Sequence, residues 1–250
     1  MSIKTKAFWD LRLVDVSWQE WGELLHVLLA RQSASTTIIM TPNPEQIVLA
    51  ARDEAFHDCL RAADYLLPDG QGLVWASGAA ARLTGADTCL ALLALAHKQN
   101  LKILLVGGRY QAPDGRLRVV ANGQTYDLAY APGYQQARQP TDQEEQAIRA
   151  LIAHLRPEIV LVALGAPTQE QWLIDHRELL RQSRVRLAMA VGGSFDFLTG
   201  RLRRAPTLWQ KFHLEWLYRL WQEPHRWRRQ LALPVFVYKK ITGQWRTIDQ

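Results

Sequence analysis

Short aliphatic runs alternate with longer stretches of helical periodicity along most of the chain. Residues 37–40, 65–67, 102–106, 159–164 and 186–191 are dominated by apolar positions, the pattern of strands buried on both faces. Between them, 45–52, 70–82, 88–99, 142–155 and 169–182 carry apolar residues at helical spacing and are long enough to cross from one parallel strand to the next. This alternation predicts an α/β fold, a Rossmann-like and mostly parallel sheet flanked by helices on both faces. Residues 115–130 break the rhythm: apolar alternation over 117–120 and 125–128 flanks Asn122-Gly123 and predicts a β-hairpin.

Charge changes the picture at one end. From residue 201 onward 11 Lys and Arg face 3 Asp and Glu, whereas residues 1–200 carry 19 against 21, so the net +6 belongs to the C-terminal fifth. Five of the ten tryptophans lie there too. The predicted division is an α/β core over 1–198 and a basic, aromatic, helical appendage over 199–250. Arg and Lys interleaved with Trp and Leu suit the anionic headgroup layer of a membrane. Nucleic acid is the competing partner for such a patch, and the helical interleaving of apolar residues argues against it. Residues 231–238 come nearest to a membrane span, but they fall short of the roughly 18–20 apolar residues required and contain Pro234. A peripheral position is therefore expected. Residues 1–15 lack the apolar core of a secretion signal, and Cys59 and Cys89 lack metal-ligand spacing, which predicts reduced core thiols in a cytoplasmic protein.

Candidate chemistry gathers just after the predicted strands, where ligands bind in such sheets. Asn43 before Pro44 is an efficient helix start, and Thr41 precedes it at a strand end. Asp69, in Pro68-Asp69-Gly70, reads either as a helix N-cap or as a general base facing the crevice. Gly107-Gly108 and Gly192-Gly193 make tight turns or let backbone amides approach a diphosphate. In 165–170, Thr168 and Gln171 fit a capping box, while Gln169 has the donors and acceptors to bind a sugar or base. Over 82–87 a helix end, a glycine cap at Gly85 and a new N-cap at Asp87 are expected, which leaves Arg82 without a structural explanation. The histidines show no ligand spacing and there is no Asp-x-Asp, so neither a metal nor another cofactor is expected.

In this order over about residues 10–230, these motifs and the run from Arg204 through 214–226 resemble the WecG/TagA/CpsF family of bacterial glycosyltransferases, glycosyltransferase family 26. The resemblance implies an inverting, metal-independent transferase. It would move an N-acetylmannosamine-type or related hexose from a UDP-sugar to an undecaprenyl-diphosphate-linked acceptor, at the inner face of the plasma membrane, in cell-surface polysaccharide synthesis. On that reading Asp69 is the catalytic base and Thr41 assists it. Asn43, Arg82, Gly107, Gly108, Gln169, Gly192, Gly193, Arg204, Arg219 and Arg226 bind substrate, and Glu215 pairs with one of the arginines. Two departures stand out. Residues 110–130 replace the family's usual helix and strand with a hairpin-bearing segment, and Thr168 replaces a lysine, whose positive charge would have to come from an arginine. A non-catalytic nucleotide-binding module that docks on membranes is the alternative, and homo-oligomerisation is left open.

Overall fold

The computed structural model describes residues 3–31, 35–112, 114–203, 205–206, 208–209, 214–224 and 227–245. The chain opens with a hairpin, β1 (Thr5–Phe8) and β2 (Leu11–Val14), followed by α1 (Trp18–Ala30). It continues through β3 (Thr37–Met40), α2 (Pro44–Ala50), α3 (Glu54–Arg61), β4 (Tyr65–Leu66), α4 (Gln71–Ser77) and α5 (Gly85–Gln99). The second half contains β5 (Ile103–Gly107), β6 (Arg116–Ala121), β7 (Gln124–Ala131), α6 (Asp142–Leu155) and β8 (Ile159–Ala163). Then come α7 (Thr168–Asp175), α8 (Arg177–Gln182), β9 (Leu187–Ala190) and α9 (Phe195–Leu198). Among the described residues beyond 200 lie α10 (Glu215–Gln222), α11 (Trp227–Gln230) and α12 (Ala232–Ile241).

The strands form one nine-stranded sheet in the order β1-β2-β4-β3-β9-β8-β5-β7-β6. Seven are mutually parallel; β1 and β6 pair antiparallel at the two edges. Side chains alternate between two cores. Leu104, Val106, Val160, Val162, Ala188 and Ala190 face one side with Ile47, Ile152 and Leu173; Ile103, Leu105, Ile159, Leu161, Leu187 and Met189 face the other with Leu25, Leu92 and Phe195. Both faces are covered, as the apolar runs require.

Sequence periodicity missed the opening hairpin and α1, although both leave signals. Ser17 and Glu20 form a reciprocal capping box, and Trp21, Leu24, Leu25, Leu28 and Leu29 make a buried stripe at helical spacing. Several boundaries also differ. The helix expected over 70–82 ends at Ser77, because Gly78 turns left-handed (φ 69°) and donates its N–H to the Val74 carbonyl. The one expected over 169–182 breaks at His176 into α7 and α8, and Pro167 rather than Thr168 takes the N-cap position of α7, with no side-chain cap, so the Thr168–Gln171 box does not form. Helix α5 is capped by Thr84, whose hydroxyl accepts from the Asp87 N–H at 3.0 Å; Gly85 opens this helix instead of closing the previous one. The hairpin at Asn122-Gly123 forms as expected and is longer than predicted, with β7 reaching Ala131 and pairing in parallel with β5.

The C-terminal helices return to the core. Phe236 of α12 and Trp245 are buried beside Phe8, with the three ring centroids 5.8–6.2 Å apart. Arg229 also pairs with Glu45 of α2. Truncating Phe236 to Ala should cost about 3–5 kcal/mol, because the surrounding rings relax only partly into the space left. A fall in the urea midpoint with an unchanged slope would check this; a midpoint like that of the unaltered chain would show that α12 is not fastened here.

Candidate active site

Two cavities open at the carboxyl edge of the sheet. The first, about 490 Å³, is built from the turns after β5, β7, β8 and β9: Gly108 to Tyr110, Pro132, Tyr134, Gln135, Ala163 to Gly165, and Gly192-Gly193. Arg109, Arg201 and Arg229 line it together with Asp196 and Glu223. The second, about 470 Å³, lies beyond β3 and β4 and is lined by Asn43, Asp69, Gly70, Gly72, Arg82, Thr84, Glu215 and Arg219, with an apolar wall from Trp216, Leu233, Phe236 and Val237.

The glycine pairs differ in what they permit. Gly107 has φ 91°, and a Cβ there would lie 2.8–2.9 Å from Leu164 and the Ala163 backbone, so its first duty is close packing of β5 against the end of β8. Gly108 lines the first cavity. Tyr130 donates its hydroxyl to the Gly108 carbonyl (3.0 Å) and accepts from the Tyr110 N–H (3.2 Å). The hairpin strand β7 thus braces this turn, and Pro132, Tyr134 and Gln135 after it wall the cavity. At Gly193 a Cβ would collide with the Arg219 guanidinium, 2.1 Å away. Its absence lets Arg219 Nη2 donate to the Gly193 carbonyl at 3.3 Å, while Nε donates to Glu223 at 3.2 Å. Arg219 therefore stands between the two cavities.

Asp69 is the half-buried acid of the second cavity. Helix α4 is entered through Gly70 with no side-chain cap, so Asp69 does not serve the capping role open to it in the sequence; its Oδ2 instead accepts the Gly85 N–H at the start of α5 (3.3 Å). It keeps partial access to the cavity but is otherwise enclosed by protein. Burial raises its pKa from 3.8 to about 6, against the pull of the Gly85 N–H, Arg82 and Arg219 and with the push of Glu215. Arg82 and Glu215 form an ion pair across the cavity, which fastens α10 to the α4–α5 loop.

Asn43 caps α2 reciprocally with Gln46 (3.0 and 3.1 Å) and also lines the second cavity. Thr41 is half-buried at the end of β3 and is not among the lining residues of either cavity. Gln169 lies behind the first cavity, accepting the Gly165 N–H at 3.2 Å beside Gly192. Arg204 and Arg226 lie outside the described residues. Sequence reasoning missed Arg109, Tyr134, Arg201 and Arg229. Nothing in their spacing distinguishes the last two from the other basic residues near the C-terminus, and Tyr134 reaches the cavity only through the path of β7.

A profile of the Glycosyl transferase WecG/TagA/CpsF family matches residues 7–250. This chain belongs to that family. Among similar WecG/TagA/CpsF relatives, a Bacillus spizizenii protein is 33% identical over 242 residues, covering 94% of this chain and 90% of its own length. A Bacillus subtilis protein is 32% identical (80% and 77% covered) and one from Staphylococcus aureus 30% (87% and 84% covered). All three are named N-acetylglucosaminyldiphosphoundecaprenol N-acetyl-beta-D-mannosaminyltransferase. The WecG/TagA/CpsF chain described here is accordingly a glycosyltransferase.

The state of Asp69 is open to measurement. Its folded pKa exceeds that of an unfolded carboxyl, so its contribution to stability is full below about pH 4 and is lost as pH rises through about 6. Asp69→Asn should therefore melt higher than the unaltered chain at pH 7.5, by roughly 2–4 °C per kcal/mol relieved, and show no gain at pH 4. Equal melting temperatures at both pH values would mean that burial does not burden this carboxylate.

Proposed function

We propose that the chain transfers an N-acetylmannosamine-type hexose from a UDP-sugar to an undecaprenyl-diphosphate-linked N-acetylglucosamine, with inversion and without a metal ion. The observation that carries this is the placement of Asp69. A carboxylate with a raised pKa faces a half-apolar cavity, and one arginine away lies a glycine-lined cavity ringed by guanidinium groups. The first cavity takes the nucleotide diphosphate. Amides at Gly108 and Gly193 approach the phosphates, and Arg109, Arg201 and Arg229 neutralise the charge that grows on the leaving diphosphate, the duty a divalent cation would otherwise have. Gln169 orients the donor from behind this cavity. Leu233, Phe236 and Val237 give the second cavity a surface for the lipid-linked acceptor, whose sugar Asn43 and Arg82 orient, with Thr41 supporting that wall from the end of β3.

Transfer is a single displacement. Asp69 takes the proton of the acceptor hydroxyl, the hydroxyl oxygen bonds to the anomeric carbon, and the carbon–oxygen bond to the UDP leaving group breaks on the opposite face. Arg219, between the cavities, attracts the departing diphosphate.

The C-terminal region supports a position on the cytoplasmic membrane surface. Trp221, Trp227 and Ile241 are 54–75% exposed on helices that also carry Arg228, Lys239 and Lys240. Among the described residues no helix is long and apolar enough to cross a bilayer. Loss of binding to anionic vesicles in the Trp221→Ser/Trp227→Ser double variant would support this placement; unchanged binding would remove it.

Asp69→Asn should lower transfer by about a hundredfold or more while donor affinity stays near that of the unaltered chain, because an amide fills the same space and cannot take the proton. The same assay in EDTA should show undiminished turnover in the unaltered chain. An active Asn variant would exclude Asp69 as the base, and loss of turnover on chelation, restored by one divalent ion, would overturn the metal-free mechanism.

A further inference from the structure

Behind the two cavities a line of hydrogen bonds runs between their walls, with Glu170 at its centre. Glu170 is 1% exposed, and its Oε1 accepts from both Gln46 Nε2 (3.0 Å) and Gln169 Nε2 (2.9 Å). On one side Gln46 closes the capping box with Asn43 on the wall of the second cavity. On the other, Gln169 receives the Gly165 N–H, and its amide lies 3.4 Å from where a Cβ of Gly192 would stand, so its far end abuts two turns of the first cavity. Oε2 of Glu170 is buried with no protein partner.

That arrangement is poor for stability. A buried carboxylate with an unsatisfied oxygen carries a desolvation penalty, and packing alone would be served by an apolar residue of the same size. What a carboxylate supplies is one oxygen on which two side-chain amides converge, while the Gln46 oxygen accepts the Asn43 N–H and the Gln169 oxygen accepts the Gly165 N–H. We propose that Glu170 is a positioning residue that holds the nucleotide-side wall at Gln169 and the acceptor-side wall at Asn43 in a fixed relation, while touching neither substrate. The proposal rests on the donor and acceptor assignments made above. It predicts that one substitution away from both substrates weakens both.

The test uses the full chain, with UDP-N-acetylmannosamine as donor and a short-chain lipid-diphosphate N-acetylglucosamine as acceptor. Donor Kd is measured by calorimetry, acceptor KM and kcat by transfer, and folding by far-UV circular dichroism. Glu170→Met leaves both amides unsatisfied and should raise donor Kd and acceptor KM each by roughly fivefold or more. Glu170→Gln, which keeps an oxygen for both amides, should bring both back towards the unaltered values, a rescue that a need for simple bulk or for charge would not give. If the Met variant is folded and leaves either constant unchanged, or if the Gln variant is as impaired as the Met variant, the link is refuted. If the Met variant does not fold, Gln169→Met decides: a raised acceptor KM, on the far side of Glu170, supports the link and an unchanged one refutes it. Failure of the unaltered chain to bind this donor or to use this acceptor refutes the substrate assignments themselves, and the link with them.

Discussion

The site depends on the cost of keeping a carboxylate charged inside protein. Asp69 lies in the turn after β4, where the chain enters α4 without a capping side chain, and its oxygen accepts the first N–H of α5. Burial lifts its pKa to about 6, close enough to neutrality that it is ionised at pH 7 and still basic enough to take a proton. The residues that hold it in that range come from distant parts of the chain: Gly85 and Arg82 from the α4–α5 connection, Glu215 and Arg219 from α10. On the proposed reading, α10 thus brings two charges of opposite sign to the base, while burial remains the larger cause of its raised pKa.

Docking is secured at several points. The Arg82–Glu215 and Arg229–Glu45 pairs tie the C-terminal helices to the rim of the sheet, and Phe236 and Trp245 bury against Phe8 on the opening hairpin. Half-exposed ion pairs contribute little by themselves, so the aromatic cluster supplies most of the fastening and the pairs set the orientation. The same helices that expose Trp221, Trp227 and Ile241 thus also wall the second cavity. On the proposed reading, a lipid-linked substrate and the membrane bearing it meet a single element of the protein.

Much of the sheet was legible in the sequence because its strands are buried on both faces and so stand out as unbroken apolar runs, as at 103–106 and 159–162. The Asn122-Gly123 hairpin was legible because that turn requires positive φ at both residues, and the pair has 51° and 74°. The N-terminal hairpin was not, since β1 alternates weakly and its residues are mostly exposed. Helix boundaries went astray where side chains compete for the same cap: Thr84 displaced Asp87, and Gly78 ended a helix that periodicity alone would have extended. At the site, Asp69, Asn43 and the glycine pairs could be singled out because strand ends in a parallel sheet are few. Arg219 could be named but not placed, because only the missing Cβ of Gly193 shows why its guanidinium fits there. Glu170 carries no sequence signal of its own, since a carboxylate beside a glutamine on a helix gives no hint that it is buried.

The most direct test of Asp69 as the base is the pH dependence of kcat/KM, which reports ionisations of the enzyme before substrate binds, the state in which this carboxyl is raised to about 6. The structure predicts a kcat/KM that rises with pH along a single ionisation near 6 and then levels off, because the reacting carboxyl must be unprotonated. A kcat/KM that is flat from about pH 5 to 8, or that turns over near the ordinary aspartate value of about 4, would show that the carboxylate taking the proton is not Asp69.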